Sequence, residues 1–478
     1  MLKDKTLETK DRDTLSSVDI DYKKLSINTK SGNFKRFYEA GLLNNIDETF
    51  TNSVEEYWDK YYSKKIDPTF HVAFKNFTGK SEPRLIPGRE MWNEILPFFN
   101  DMNIRIGYSD KNMYDRLINP PSSTDNVLKR VRGHYFDTNN NLLTNSDAYN
   151  LLLIDKEDLI IKPSDTDNGT GIAKLKYKNQ NVLLDDEVVT MKNLEDRYGY
   201  NFIVQKVIKQ HPIMAAPHPA SVNTLRMVTF RWKNEIRHLL TYARFGGDNN
   251  VKDHSISGGV SVGVTDSGEL MNFAIDTNCK VYQEHPTTDY SFANNKSTIP
   301  NYEFFKSYVE DLHKNILHHD FVSWDIAVGI DGQPIFIESN FRGTSWRYQL
   351  VSQKPIFGDL TEEVLQYVST ELKKNKLKRN VKSIVPVIRS KNKDLKKDNK
   401  SLKIENRRLI RENKRVNKLN VKTRKQNNLI KSSLNIKENE LRKANHEYQK
   451  VIQSRSWKST LPLRKIGHVY RSLSKRDK

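Results

Sequence analysis

The segment FVSWDIAVGIDGQPIFIESNF, residues 321 to 341, constrains the fold of this chain more than any other stretch. Two apolar runs flank the turn IDGQP, so the segment reads as a β-hairpin whose strands belong in a core. Pairing those strands sets Asp325 against Glu338, with Asn340 two residues further along the same strand face. Two carboxylates about 4 Å apart would repel by roughly 4 kcal/mol at an effective dielectric of 20, a cost that a bridging cation removes. Oxygen donors on adjacent rigid strands are what a hard divalent cation takes. Asp325, Glu338 and Asn340 are therefore candidate metal ligands. The alternative is a pair of solvated charges on an exposed hairpin face.

A second segment, LIIKPSDTDNGTGIAKL at 159–175, runs from a strand through Lys162 and Pro163 into a loop containing Gly169 and Gly171, then into another strand. Glycines in such a loop let backbone N–H groups approach phosphate oxygens, and a strand-end lysine adds a point charge. The loop matches neither the P-loop nor the dinucleotide fingerprint, and a plain hairpin turn explains it equally well.

Around these segments the chain changes texture. Residues 1–105 read as a helical N-terminal region with aromatic-bearing stretches such as SVEEYWDKYYSKK, and residues 106–370 mix strand runs such as TLRMVTFRW with helices such as NYEFFKSYVEDLHKNILHH. Such a mixture predicts an α+β body of largely antiparallel sheets. From Glu371 onward there are 35 Lys and Arg against nine Asp and Glu, leaving 44 against 50 in the body, so the net charge of +20 belongs to the tail. Within that tail Asn392, Asn399, Asn406, Asn413, Asn420 and Asn427 recur every seven residues. Leu395, Leu402, Leu409, Val416 and Ile430 follow three positions behind, with Thr423 in the same phase, and Leu434, Leu441 and Tyr448, then Ala444 and Val451, continue the register. This pattern predicts a C-terminal coiled coil over 371–452 that pairs two copies of the chain, the buried Asn positions fixing the register. A single solvated helix is the alternative.

Residues 453–478 form a basic amphipathic tail in which Trp457, Leu461, Leu463, Ile466, Val469, Tyr470 and Leu473 alternate with cations. Such a segment suits contact with an anionic membrane surface, each cation adding about 1 kcal/mol; a solvated tail or polyanion binding are the alternatives. The aromatics do not interleave as stacking platforms and the body is acidic, which argues against nucleic acid. One cysteine, Cys279, excludes a disulfide framework, and the N-terminus lacks the apolar core of a secretory signal. No apolar run is long enough to span a bilayer. A cytoplasmic protein, at most touching the inner face of the plasma membrane, is the expectation.

Taken together, the Lys162-Pro163 loop and the later Asp325 and Glu338-Ser339-Asn340 resemble the ATP-grasp superfamily, with a spacing similar to its D-alanine–D-alanine ligases. HPASVNTLRMVTF, YARFGGDNNVKDHSISGGVSVGV, FVSWDIAV, FIESN and PIFGD resemble its sugar-transfer-associated branch, found among bacterial capsule and teichuronopeptide genes. The resemblance spans roughly residues 60 to 370. It implies the ATP-grasp fold, in which two α+β subdomains sandwich ATP, and magnesium held by Asp325, Glu338 and Asn340. It further implies that Lys111 of YSDKNMYDRLI, Lys162 and the loop residues Asn168, Gly169, Thr170 and Gly171 contact the phosphates. Gln205, Lys206, Val207 and Ile208 of FIVQKVIKQH would form the hinge that reads adenine through its backbone. Arg226 and Arg244, on neighbouring strands, would serve the γ-phosphate and an acyl-phosphate intermediate, guanidinium forks matching such anions; structural ion pairs are the alternative. Arg342 is a candidate clamp for a substrate carboxylate. Where the branch often carries Asp-Asn before its Gly-Gly turn, this chain has Asp253-His254, and His254 is read as a surface or packing residue.

The activity implied is an ATP- and magnesium-dependent carboxylate–amine ligase acting on a carboxylate-bearing sugar or glycan precursor and an amine. A phosphotransferase, or a non-catalytic nucleotide-binding scaffold for glycan assembly, are the competing readings. The stretch SWKSTLPLRK also resembles a C-terminal motif of some bacterial glycosyltransferases.

Overall fold

A computed structural model describes residue 22, residues 25–166, 171–247, 259–342 and 346–374, residues 431–454, and scattered helical positions from 405 to 428 and at 459. The chain divides into two compact units, Met1–Val381 and Lys382–Lys478.

The first unit is built on two sheets in which every paired strand is antiparallel, as the α+β expectation requires. The first sheet has eight strands, ordered Leu142–Leu143, His134–Phe136, Asn126–Val131, Phe202–Lys206, Leu159–Pro163, Ala173–Lys178, Asn181–Leu184 and Glu187–Val188. Its apolar face (Leu159, Ile161, Phe202 and Val204 at every second position) is covered by helices Asn145–Ile154 and Met191–Tyr198. Both helices begin with capping boxes, Thr144 with Asp147 and Thr190 with Asn193, which satisfy N–H groups that would otherwise lack partners. The alternate positions Ile160, Lys162, Ile203 and Gln205 turn to the opposite face.

The second sheet has seven strands, ordered Val281–Tyr282, Ala274–Ile275, Val260–Val264, Glu235–Phe245, Thr224–Trp232, Phe321–Val328 and Pro334–Asn340. Helix Tyr302–Lys314 covers one face with Tyr302, Phe305, Tyr308, Val309 and Leu312, a spacing of three and four that keeps one stripe inward. The other face packs against the N-terminal helices Gly32–Glu39, Glu48–Tyr62 and Thr69–Thr78, and against Trp346–Ser352 and Thr361–Lys373. The helical N-terminal region therefore shares a core with the second sheet. Trp58 of Glu48–Tyr62 is fully buried in that core, which contributes about 2–3 kcal/mol.

Two segments carry the chain between the sheets. Residues 122–124 run beside the hairpin, with Phe336 N–H donating to the Ser122 carbonyl at 3.1 Å. Residues 207–211 return on the other side, where Gln210 bridges to Gly329 and His211 N–H donates to the Val328 carbonyl at 2.8 Å.

In the second unit residues 431–453 are helical, and Leu434, Leu441, Tyr448 and Val451, at the expected seam positions, are about half exposed or more. Most of the asparagine repeat and the stretch after 459 lie outside the described residues. Among the described residues no helix is long and apolar enough to cross a membrane.

The hairpin is anchored at its open end by Asn100. Its side-chain amide donates to the Phe321 carbonyl at 2.8 Å and the Phe341 carbonyl at 3.1 Å, while its carbonyl accepts the Phe321 N–H at 3.0 Å. Asn100→Ala strips three buried backbone groups of this partner, and chemical denaturation is expected to show a loss of about 3 kcal/mol. An unchanged unfolding midpoint would show that the hairpin does not rely on this anchor.

Candidate active site

The hairpin register pairs Asp325 with Glu338 and Ser323 with Asn340. Immediately beyond, Ile326 pairs with Phe336, so Ile337 is an extra residue in its strand. This bulge lets Phe336 enter the core beside Ile326 while Glu338 and Asn340 share the opposite face with Asp325. Regular alternation would have put Phe336, Glu338 and Asn340 on one face.

On the next strand Arg226 stands opposite Asp325, and on the strand after it Arg244 stands opposite Thr224. Arg226 grips the buried Asp325 carboxylate bidentately through Nε and Nη2, the latter at 2.9 Å, and Arg244 Nη1 donates to the same carboxylate at 2.9 Å. Both arginines expected to serve phosphate are thus engaged with Asp325. Arg226 Nη1 also donates to the Tyr348 hydroxyl at 3.0 Å, which in turn pairs with Ser323 Oγ.

Glu338 faces two further cations besides Arg226. Lys111 Nζ lies 3.6 Å from its carboxylate and donates to the Thr166 carbonyl at 3.0 Å. The Lys111 backbone is fixed by the short helix Lys111–Met113, capped by Asp110, and by donation to the Ser164 carbonyl at 2.9 Å. Burial would push Glu338 up, but Lys111, Arg226 and Lys162 hold its carboxyl well below the ordinary carboxylate range. It is therefore ionised at neutral pH. Asn340 directs its amide N–H at Glu338, 3.4 Å away.

Lys162 comes from the other sheet, at the end of Leu159–Pro163, with 6% of its surface exposed. Burial, then the neighbouring Lys111 cation, lowers its pKa to about 8 against the opposing pull of Glu338. Next to it the Ser164 hydroxyl is fully buried and has no hydrogen-bond partner among the described residues. Asn168, Gly169 and Thr170 lie outside the described residues, as does His254. Gly171 has φ +81, and a Cβ there would stand 2.8 Å from Pro163 Cγ, so only glycine lets the loop return against the Lys-Pro strand.

At the hinge the Gln205 side chain is used internally, donating to Thr124 Oγ1 at 2.5 Å and Asn126 Oδ1 at 2.8 Å. Lys206 pairs with Asp155 at 2.9 Å, and its N–H donates to the Asp125 carbonyl. Val207 and Ile208 leave the strand ladder at the crossing between sheets. Arg342, just past the hairpin, is exposed.

The donor set fits a hard divalent cation: two carboxylates in register and an amide on the same face, all oxygen donors, with Glu338 held ionised. Arg226 and Arg244 already engage Asp325, so Glu338 and Asn340 are the more available ligands. Tyr348 is a site residue that no motif in the sequence marks, and Ser164 and Thr166, inside the 159–175 segment, carry no signature of their own. Single hydroxyls and carbonyls carry no spacing signature.

Lys162 offers a direct check of this charge arrangement. Its amine, followed by pH-dependent acylation and mass spectrometry, is expected to titrate near pH 8. Lys111→Met should move that midpoint up, because a repelling cation is lost, and Glu338→Gln should move it down. A midpoint near the ordinary lysine value that neither substitution shifts would contradict the arrangement.

The sugar-transfer-associated ATP-grasp family model matches residues 99–366, more than half of the chain. No curated protein matches. Among solved structures, the D-alanine–D-alanine ligase from Coxiella burnetii is similar at 10% identity, covering 61% of this chain and 70% of its own, with a TM-score of 0.34. The ligase of that name from Bacillus anthracis in complex with ATP is 12% identical over 58% of this chain and 70% of its own, with a TM-score of 0.31. The biotin carboxylase domain of Hydrogenobacter thermophilus 2-oxoglutarate carboxylase, bound to MgADP, ADP and bicarbonate, is 12% identical over 57% of this chain, with a TM-score of 0.34. Only 47% of that domain's length is spanned. On the extent of the family match, this chain belongs to the sugar-transfer-associated ATP-grasp family.

Proposed function

We propose that the chain is an ATP- and magnesium-dependent carboxylate–amine ligase that modifies a cell-surface polysaccharide precursor. The observation that carries this reading is the charge balance where the two sheets meet. Lys111, Lys162, Arg226 and Arg244 surround Asp325 and Glu338, leaving two positive charges in excess. Mg-ATP is a dianion, and it complements that excess.

In this reading Lys111 and Lys162 steady the phosphates, the 164–171 loop covers them, and the Val207–Ile208 backbone contacts adenine. Glu338 and Asn340, with Asp325, would hold magnesium, which when bound neutralises charge on the terminal phosphates. An acceptor carboxylate oxygen forms a bond to the γ-phosphorus as the bond to the β,γ-bridging oxygen breaks, yielding an acyl phosphate and ADP. An amine then attacks the acyl carbon, phosphate departs and the amine's proton is lost, leaving an amide. Arg226 and Arg244 would share their N–H groups between Asp325 and the γ-phosphate, then the acyl-phosphate intermediate. Exclusion of water matters because hydrolysis of an acyl phosphate wastes ATP. The seam of the second unit would pair two copies, and the basic tail would hold them at the inner face of the membrane.

Incubation with Mg-ATP and a panel of uronic acids and amino acids is expected to release ADP and phosphate together. ADP without phosphate would instead indicate a phosphotransferase. Glu338→Gln is expected to lower ADP formation by about a hundredfold or more, with the unfolding transition still cooperative; undiminished turnover would favour the scaffold reading.

Removing residues 382–478 is expected to leave nucleotide affinity intact while converting a dimer to a monomer on sizing chromatography. A truncated chain that still dimerises would refute pairing through the C-terminal seam.

A further inference from the structure

Ser339 lies between Glu338 and Asn340 in the hairpin strand, but it turns the other way. It pairs with Trp324, whose indole is fully buried in the core on the face away from the carboxylates. That layer holds the rings of Tyr108, Tyr114, Phe336 and Phe341, yet Ser339 brings a hydroxyl into it with 4% of its surface exposed. A buried hydroxyl costs free energy unless it is hydrogen-bonded, so packing alone would favour an apolar side chain at this position.

The Ser339 hydroxyl meets the segment that carries Lys111. It donates to the Tyr108 carbonyl at 3.0 Å, in the last turn of helix Arg105–Ser109, where carbonyls lack intrahelical donors. Burial, then the Glu338 charge, holds the Tyr114 phenol well above the ordinary tyrosine pKa, against hydrogen bonds from the Ser339 backbone and side chain. Tyr108 and Tyr114 stand three residues before and three after Lys111. Tyr114 also packs on Phe336 within the strand, with ring centres 5.0 Å apart, and Tyr108 on Phe341 just past it, at 5.9 Å. Between these two attachments Lys111 Nζ lies 3.6 Å from the Glu338 carboxylate.

We propose that Ser339 is a positioning residue, which fixes the distance between Lys111 and Glu338 from behind the sheet. Its role rests on the reading above, in which Lys111 steadies phosphates and Glu338 holds magnesium. Both groups must meet one Mg-nucleotide, so their separation decides whether a single ligand satisfies both at once. A strand that grips the lysine segment sets that separation before the ligand arrives, and less ordering cost falls on binding. The other polar contacts of Lys111, its N–H to the Ser164 carbonyl and its Nζ to the Thr166 carbonyl, tie it to the first sheet instead.

Calorimetric titration of the full chain with the β,γ-methylene analogue of ATP, in magnesium and in EDTA, tests this role without turnover. Ser339→Ala is expected to weaken the magnesium complex about tenfold and the metal-free analogue less than about twofold. Only the metal-bearing ligand engages both groups, whereas a purely structural loss would weaken both forms alike. In a Lys111→Met background the same serine substitution should cost less than about twofold, because the group it positions is gone. Ser339→Thr, which keeps the hydroxyl, should recover most of the loss. If Ser339→Ala destabilises the fold, Tyr114→Phe decides the matter, since it keeps the ring against Phe336 and should lower the magnesium-dependent gain in the same direction. Equal weakening with and without magnesium, or losses that add in the double variant, would overturn the role of Ser339 and leave the Mg-nucleotide reading standing. A wild-type chain that binds the analogue no better with magnesium would overturn both.

Discussion

Everything in the body of this protein is arranged around a pair of carboxylates that face each other across one hairpin. Asp325 and Glu338 are too close to coexist as anions in an apolar core without compensation. The fold supplies that compensation unevenly. Asp325 is satisfied within its own sheet, by Arg226 and Arg244 from the two neighbouring strands. Glu338 is balanced first by Lys111, outside the sheet, then by Arg226 within it and by Lys162 of the other sheet. One carboxylate therefore organises the second sheet internally, and the other couples the two sheets.

That division has a mechanical consequence. The first sheet is tied to the second through two crossings, 122–124 and 207–211, and through the 111–115 segment, where Lys111 bonds Ser164 and Thr166, Asn112 donates to the Arg130 carbonyl and Asp115 pairs with Lys129. The second sheet is locked by helices on both faces. Asp325 and its arginines cannot move without disrupting a packed core, whereas Lys162 reaches Glu338 from the other sheet.

The hairpin, its facing carboxylates and the strand–loop–strand around Lys162 were legible in the sequence because apolar alternation and turn residues report strands directly. The face on which Glu338 and Asn340 sit was legible only in part. Simple alternation groups them with Phe336, and the Ile337 bulge, which has no residue signature, separates them. The arginines were found as cations on neighbouring strands, but their engagement with Asp325 depends on the order of strands in the sheet, which local pattern does not encode. Gln205 illustrates the same limit. Its place at the end of a hinge strand could be read, whereas its bonds to Thr124 and Asn126 arise from a crossing about eighty residues earlier.

The N-terminal helices are joined to the hairpin floor through one short helix. They share a core with helix Trp346–Ser352, the next helix after the hairpin. Tyr348 on that helix touches Arg226, and Trp346 on the same helix is flanked by Arg36. Two residues of one short helix thus join the charged hairpin floor to a segment outside residues 99–366. A change in the N-terminal helix therefore reaches Arg226 through Trp346 and Tyr348 without touching Asp325 or Glu338 directly, because the two carboxylates and Phe37 lie at opposite ends of one chain of contacts.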